Sequence, residues 1–401
     1  MIKFIDFLKE AAEQQPEEGA KLKHLTHIED LPVHHGNEGA SMAADFLDSV
    51  HNKLLGKKST THVSTKYDGA PSIVFGQHPQ TGQFFVATKS AFNKTPKINY
   101  TPEDIDANHG HAPGLAAKLK EALQHLPKIM PKNGGVYQGD LMYGAGDVQH
   151  KRGQTSFTPN TITYSTPTDS EHGRAAKAAK LGIVVHTNYK GRGDLSSMVA
   201  GPLADKDRAR FQNHSDVHNI DPTITVDPSN YTPEDQSEFH GHMDKARRTY
   251  ARMKPEALDA LQGHSTNLEA HINQMIRTGG SPSVDGYIKH LTDKSTKEIE
   301  KVKTPAAKDR KLRAHSDSIQ HILDNRDHFQ KALEMHGHLQ KAKNVLARVM
   351  ARNNPFGHSI NGVETGPEGA VAVDKNGNMA KIVDRDEFSR NNFLRNQGGF
   401  Q

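Results

Sequence analysis

The sequence contains neither cysteine nor tryptophan. Without thiols the chain can form no disulfide and no thiolate metal site, which suits a reducing compartment. Aromatic residues make up 6% and all apolar residues 34%, so a modest core under much polar surface is expected. No apolar run approaches the roughly 20 residues of a membrane span. The first residues, Met1 to Glu10, carry charges where a signal peptide would be apolar. These absences predict a soluble, intracellular protein. Net charge is also scarce at +4, which permits a polyanionic partner without requiring one.

What is present falls into four segments. Residues 1–57 read as helical: a short amphipathic helix over Ile2–Leu8, a polar linker to about Gly19, then a helix with Ala43, Phe46, Leu47, Val50 and Leu54 on one face. Residues 58–201 alternate as strands over Ser72–Gly76, Phe84–Ser90, Val136–Tyr143, Thr161–Ser165 and Leu181–Tyr189, with a helix from Pro113 to about Leu126. Helical spacing dominates 202–354, including a basic run from Lys294 to Arg313 that reads as a solvated helix face or as a nucleic-acid contact. In 355–401 two apolar runs, Ala370–Val373 and Met379–Val383, flank an Asp-Lys-Asn-Gly-Asn turn. The 26 histidines include His34-His35, His109-Gly110-His111 and His240-Gly241-His242. None sits in an H-E-x-x-H pattern, so capping and surface roles are expected and no structural metal.

Lys66-Tyr67-Asp68-Gly69 stands between two β-prone runs, His62–Thr65 and Ser72–Gly76. A lysine beside a turn can serve as a nucleophile. It attacks only as the free amine, so such a site needs desolvation or neighbouring cations, together with an electrophile such as the α-phosphate of ATP. The bland alternative is a hairpin turn with an exposed lysine.

With its companions, that tetrad resembles the covalent nucleotidyltransferases, the superfamily of ATP-dependent RNA and DNA ligases and mRNA capping enzymes. Lys66-Tyr67-Asp68-Gly69 matches the K-x-D-G signature in full. Thr88-Lys89-Ser90 has lysine where the family usually carries arginine, Gly139-Asp140-Leu141 resembles G-E-L with Asp for Glu, and Leu181–Tyr189 resembles the next apolar strand, with His186 or Tyr189 as the aromatic against adenine. Glu368-Gly369-Ala370-Val371 fits E-G-x-V, and thirteen residues on, Lys381-Ile382-Val383 fits the closing lysine motif with Val383 for its second lysine, a loss for which Arg385 could compensate. Val284-Asp285-Gly286-Tyr287, followed by Lys301-Val302-Lys303, is a rival for the same two motifs, but its surroundings read as helix.

The resemblance implies an α+β fold: a ligase-type nucleotidyltransferase core of antiparallel sheets with a large helical insertion. Only 20 residues follow Lys381, so no C-terminal OB-fold is expected. It implies that Lys66 forms a lysine-AMP intermediate, that Lys381 contacts the α-phosphate, and that Asp68, Gly69, Lys89, Asp140, His186, Glu368 and Arg385 complete the nucleotide site. ATP and Mg²⁺ or Mn²⁺ would be the cofactors, the metal held by Glu368 and Asp140. The partner would be a nucleic acid with a 5′-phosphate end, RNA favoured, sealed to a 3′-hydroxyl; DNA ligation, AMP transfer to another acceptor, and a non-catalytic binding protein on a decayed core are the alternatives. A narrower resemblance, carried by Phe4-Ile5-Asp6-Phe7-Leu8, His27-Ile28-Glu29-Asp30, Phe92-Asn93-Lys94, Phe388-Ser389 and Asn392-Phe393, is to a group of tailed-phage proteins, implying a phage-encoded enzyme of the bacterial cytoplasm.

Overall fold

The computed structural model of the chain describes residues 25–191, 193–224 and 227–385. The helix expected over Ile2–Leu8 and the Phe388 and Asn392 segments lie outside the described residues. α1 (Leu31–Leu54) buries the whole expected stripe, Ala43, Phe46, Leu47, Val50 and Leu54, as spacing of three and four residues requires. β1 (His62–Thr65) then leads into the Lys66 loop. β2 (Ser72–Gln77) and β3 (Phe84–Ala87) form an antiparallel hairpin. α2 (Pro102–His109), opened by a capping box between Thr101 and Asp104, precedes α3 (Pro113–His125).

The chain returns as β4 (Val136–Tyr143), β5 (Gln149–Lys151), β6 (Gln154–Phe157) and β7 (Thr163–Pro167). After α4 (Glu171–Ala178) come β8 (Leu181–Lys190), β9 (Val199–Pro202) and β10 (Val217–Asn219). The helical run comprises α5 (Pro233–Ala251), α6 (Ser265–Thr278), α7 (Val284–Glu300), α8 (Pro305–Asp324) and α9 (Arg326–Ala351). β11 (Gly357–Ile360), β12 (Val363–Glu364), β13 (Ala370–Val373) and β14 (Met379–Ile382) close the described chain.

The fold is α+β, with strands in three sheets. β1-β13-β14 is antiparallel; β10-β8-β4-β2-β3, with β9 also on β8, is antiparallel except for the parallel β10–β8 pair; β12-β11-β7-β6-β5 is antiparallel. β1 and β2 therefore belong to different sheets, and the segment between them is a crossing, not the hairpin turn of the bland reading. α2 and α3 cover one face of the six-stranded sheet through Ile105, Leu119 and Ala122 against Ile73, Phe75 and Leu141. A larger core joins α1, the long helices, and Ala370, Ala372, Ala380 and Ile382 of the first sheet. The expected helical segment thus shares one interior with residues from both flanking segments, and β10 lies beyond the boundary expected near residue 201. Among the described residues no helix is long and apolar enough to cross a membrane.

Candidate active site

The site starts from strand alternation. In the first sheet Ser64 lies opposite Val371, and Val371 opposite Lys381. Val63, Ala370, Ala372, Ala380 and Ile382 point into the helical core, so a period of two directs Ser64, Lys66, Val371 and Lys381 to the other face. Pairing continues one step past β1, where the Lys66 N–H donates to the Gly369 carbonyl at 2.8 Å. Lys66 Nζ donates to Glu368 Oε1, and the other Glu368 oxygen is buried without a partner among the described residues. Burial pushes the Glu368 carboxyl above its ordinary range, opposed by Lys66. Burial, and then the charge of Lys66, lowers Lys381. The Lys381 strand is held from outside by its N–H to the Thr26 carbonyl at 2.9 Å.

The rest of the tetrad seats the loop. Tyr67 is buried against Tyr164 and Phe356. Asp68 accepts from Asn160 Nδ2 at 2.9 Å and the Thr161 N–H at 3.0 Å, while its own N–H donates to the Tyr164 hydroxyl at 2.7 Å. Gly69 lies so close to β4 that a Cβ there would sit 2.6 Å from the Asp140 Cβ. A side chain at position 69 would push Lys66 away from the second sheet.

That sheet brings the next group. Ser72 is opposite Asp140 in the β2–β4 register, and His186 Nε2 lies 3.4 Å from Asp140 Oδ1. Burial raises the Asp140 carboxyl, but hydrogen bonds from His186 and Ser72 and the charge of Lys66 outweigh it, so the net shift is downward. Gln138 Nε2 donates to Ser72 Oγ at 2.8 Å and its Oε1 accepts from the Tyr189 hydroxyl at 2.6 Å. Tyr189 is buried and stacked on Phe92, ring centroids 4.7 Å apart, which leaves His186, half-buried, as the more open ring of the two considered for adenine. Ser72, Gln138, Asn160 and Tyr164 were not read from the sequence. The i, i+2 relation of Gln138 to Asp140 within one strand was a usable signal; Asn160 and Tyr164 carried none.

One expected nucleotide contact, Arg385, is corrected, and a second, Lys89, is placed apart from the other site residues. Arg385 is 2% exposed, with Nη1 on Asp30 Oδ2 at 2.9 Å and Glu29 Oε1 at 3.2 Å and Nη2 on Asn273. Its charge is committed to two buried carboxylates, so it does not replace the lysine lost at Val383, itself buried. Lys89 is exposed on a short 3-10 turn, Lys89–Phe92, beyond the end of β3. No hydrogen bond or ion pair joins it to the other site residues among those described. The rival Val284–Lys289 segment is the start of α7, with Val284 and Tyr287 buried, and forms no hairpin.

Donor chemistry bears on the metal. Among the described residues no three His, Asp or Glu side chains group as a metal centre. Mg²⁺ is commonly held by one or two carboxylates with substrate phosphates and water; the unpartnered Glu368 oxygen and the Asp140 carboxylate are donors of that kind, so the residues fit a metal that arrives with a nucleotide.

The chain belongs to a family of unknown function, DUF6267, whose model matches residues 22–397. No curated protein and no solved structure matches it.

Proposed function

We propose that this protein is an ATP-dependent nucleotidyltransferase of the ligase type, acting through lysine-AMP on a polynucleotide with a 5′-phosphate, RNA before DNA. The observation that carries the reading is the meeting of Lys66 and Lys381 on one sheet face, with Glu368 bonded to Lys66, and with Asp140, paired to His186, near enough for the charge of Lys66 to act on it. Lys66 Nζ, as the free amine, attacks the α-phosphorus of ATP; the P–N bond forms as the bond to pyrophosphate breaks. The carboxylate of Glu368, whose protonation burial favours, accepts the amine's proton. Lys381 holds the α-phosphate oxygens, and Asp140 with His186 orients the ribose and base. A divalent cation held by Asp140 or Glu368 together with the phosphates would neutralise charge on the departing pyrophosphate. A 5′-phosphate oxygen then takes the AMP and frees Lys66, and a 3′-hydroxyl displaces AMP to seal the strand. The tailed-phage resemblance supports reading this as an activity of the bacterial cytoplasm.

A second reading, a binding protein on the same core without catalysis, is favoured by one observation: Val383 and the committed Arg385 leave the closing motif with a single cation. Incubation with α-labelled ATP and Mg²⁺ separates the two. Covalent label on the native chain that disappears in Lys66→Ala is expected; folded native protein that binds ATP but takes no label supports the second reading instead.

A further inference from the structure

The helical hairpin of α7 and α8 does not behave like the rest of its bundle. The buried residues of α7, namely Val284, Tyr287 and Leu291, lie in its first half, and α8 buries only Ile322 near its end. From Thr292 to His321 no side chain is buried. This stretch is an arm, stiffened by Lys311 to Glu298 at 2.7 Å between its two helices.

Its charge is equally distinct. Lys294 to Arg313 holds eight lysines and arginines against Glu298, Glu300 and Asp309, a net +5, whereas the whole chain carries +4. The remainder of the protein therefore sums to −1, and the basic excess resides in the arm. Lys297, Lys301, Lys303, Lys308, Arg310 and Arg313 are exposed and form no ion pair among the described residues. A merely solvated helix gains nothing from such an imbalance, since like charges on one short hairpin repel.

We propose that this arm binds the phosphate backbone of duplex nucleic acid, without sequence preference. Its composition selects the duplex. No Phe, Tyr or Trp occurs between Thr292 and Asp324, so the arm lacks the large aromatic platforms on which unpaired bases usually stack in single-strand binders. What it offers is a dense row of cations, and duplex DNA presents the denser row of phosphates. The inference deepens the ligase reading, on which the arm's catalytic relevance rests, while the binding stands on the arm's own charge.

The test uses the full chain with a labelled, 5′-phosphorylated duplex DNA and the matching single strand, titrated between about 50 and 200 mM salt. In the variant Lys301→Gln, Lys303→Gln, Arg310→Gln, Arg313→Gln, duplex affinity is expected to fall at least tenfold. The slope of log K against log salt is expected to flatten by about 3.6, near 0.9 for each of the four lost phosphate contacts. The same number of changes elsewhere, at Lys57, Lys58, Lys177 and Lys180, should leave both unaltered. An unchanged slope in the arm variant overturns the proposal, as does equal binding of poly-glutamate, which would assign the arm to an acidic protein. ATP labelling is measured in parallel: label without arm-dependent binding sinks the arm alone, and arm-dependent binding without label sinks the ligase reading alone.

Discussion

Lys66 and Glu368 stand 302 residues apart in the chain and share an ion pair, side by side where β1 meets β13. The lysine is about one-third exposed and the glutamate 11%, so the carboxylate is the more desolvated partner. Burial makes its charged form costly, and a charge kept against that cost marks a working group more than a structural one. Glu368→Gln is therefore expected to leave thermal stability unchanged or raise it, while ATP labelling falls at least tenfold, about 1.4 kcal/mol of transition-state stabilisation. A variant that loses stability and keeps its labelling rate would reverse that assignment.

Gly69→Ala tests how closely the loop approaches the second sheet. The added methyl meets the Asp140 Cβ at 2.6 Å and the Leu141 carbonyl oxygen at 3.1 Å, both on a strand paired on both sides. The loop must yield, at a cost of about 1–3 kcal/mol. A lower denaturation midpoint with loss of label is expected. Full stability in the variant would show that the crossing does not sit against β4.

Asp68 organises that loop from below. Its two carboxylate oxygens accept from Asn160 and Thr161, and an asparagine offers only one oxygen. Asp68→Asn should leave one donor short, costing about 1 kcal/mol for this partly buried group, and should slow labelling by misplacing Lys66. Tyr164→Phe, which removes the acceptor of the Asp68 N–H, should shift both readouts in the same direction. Opposite shifts would separate Asp68 from loop positioning.

How much of this was legible depends on the range of the interaction. The α1 stripe, β4 and the β13–β14 turn were readable because each is set by local periodicity or turn chemistry. α2 carries a local signal too, since Thr101-Pro102-Glu103-Asp104 is a capping sequence, but Ile105 alone of its residues is apolar and buried, so no stripe accompanies the cap. β5 could not be read: Gln149, His150 and Lys151 are all exposed, so no apolar alternation exists. Lys66, Glu368 and Lys381 could be proposed as a group only by resemblance, because their meeting depends on long-range strand pairing. Arg385 failed for the same reason. It looked available for phosphate until the fold brought Glu29 and Asp30 from the other end of the chain.

That buried charge cluster carries the last prediction. Lys343 Nζ donates to Glu29 Oε1 at 2.6 Å, both side chains fully buried, directly after the Thr26–His27 segment that supports the Lys381 strand. Burial alone would raise Glu29, but Lys343, then His27 and Arg385, overcome it and lower the carboxyl to about 2. A folded pKa below the unfolded one means that the unfolded chain binds more protons on acidification. The stabilisation is complete above about 4.5, the ordinary glutamate value, and is lost as pH falls towards 2. Lys343→Met leaves the carboxylate buried without its nearest cation, and a cost of about 3 kcal/mol is expected at neutral pH, the low end for a broken buried pair. The same change removes the main force holding the Glu29 carboxyl down, so the variant has less acid-sensitive stability to lose. Denaturation midpoints of the two proteins should be farthest apart near neutrality and converge below about pH 4.5. A constant gap across that window would mean that Lys343 acts through packing and that Glu29 is not the linked group.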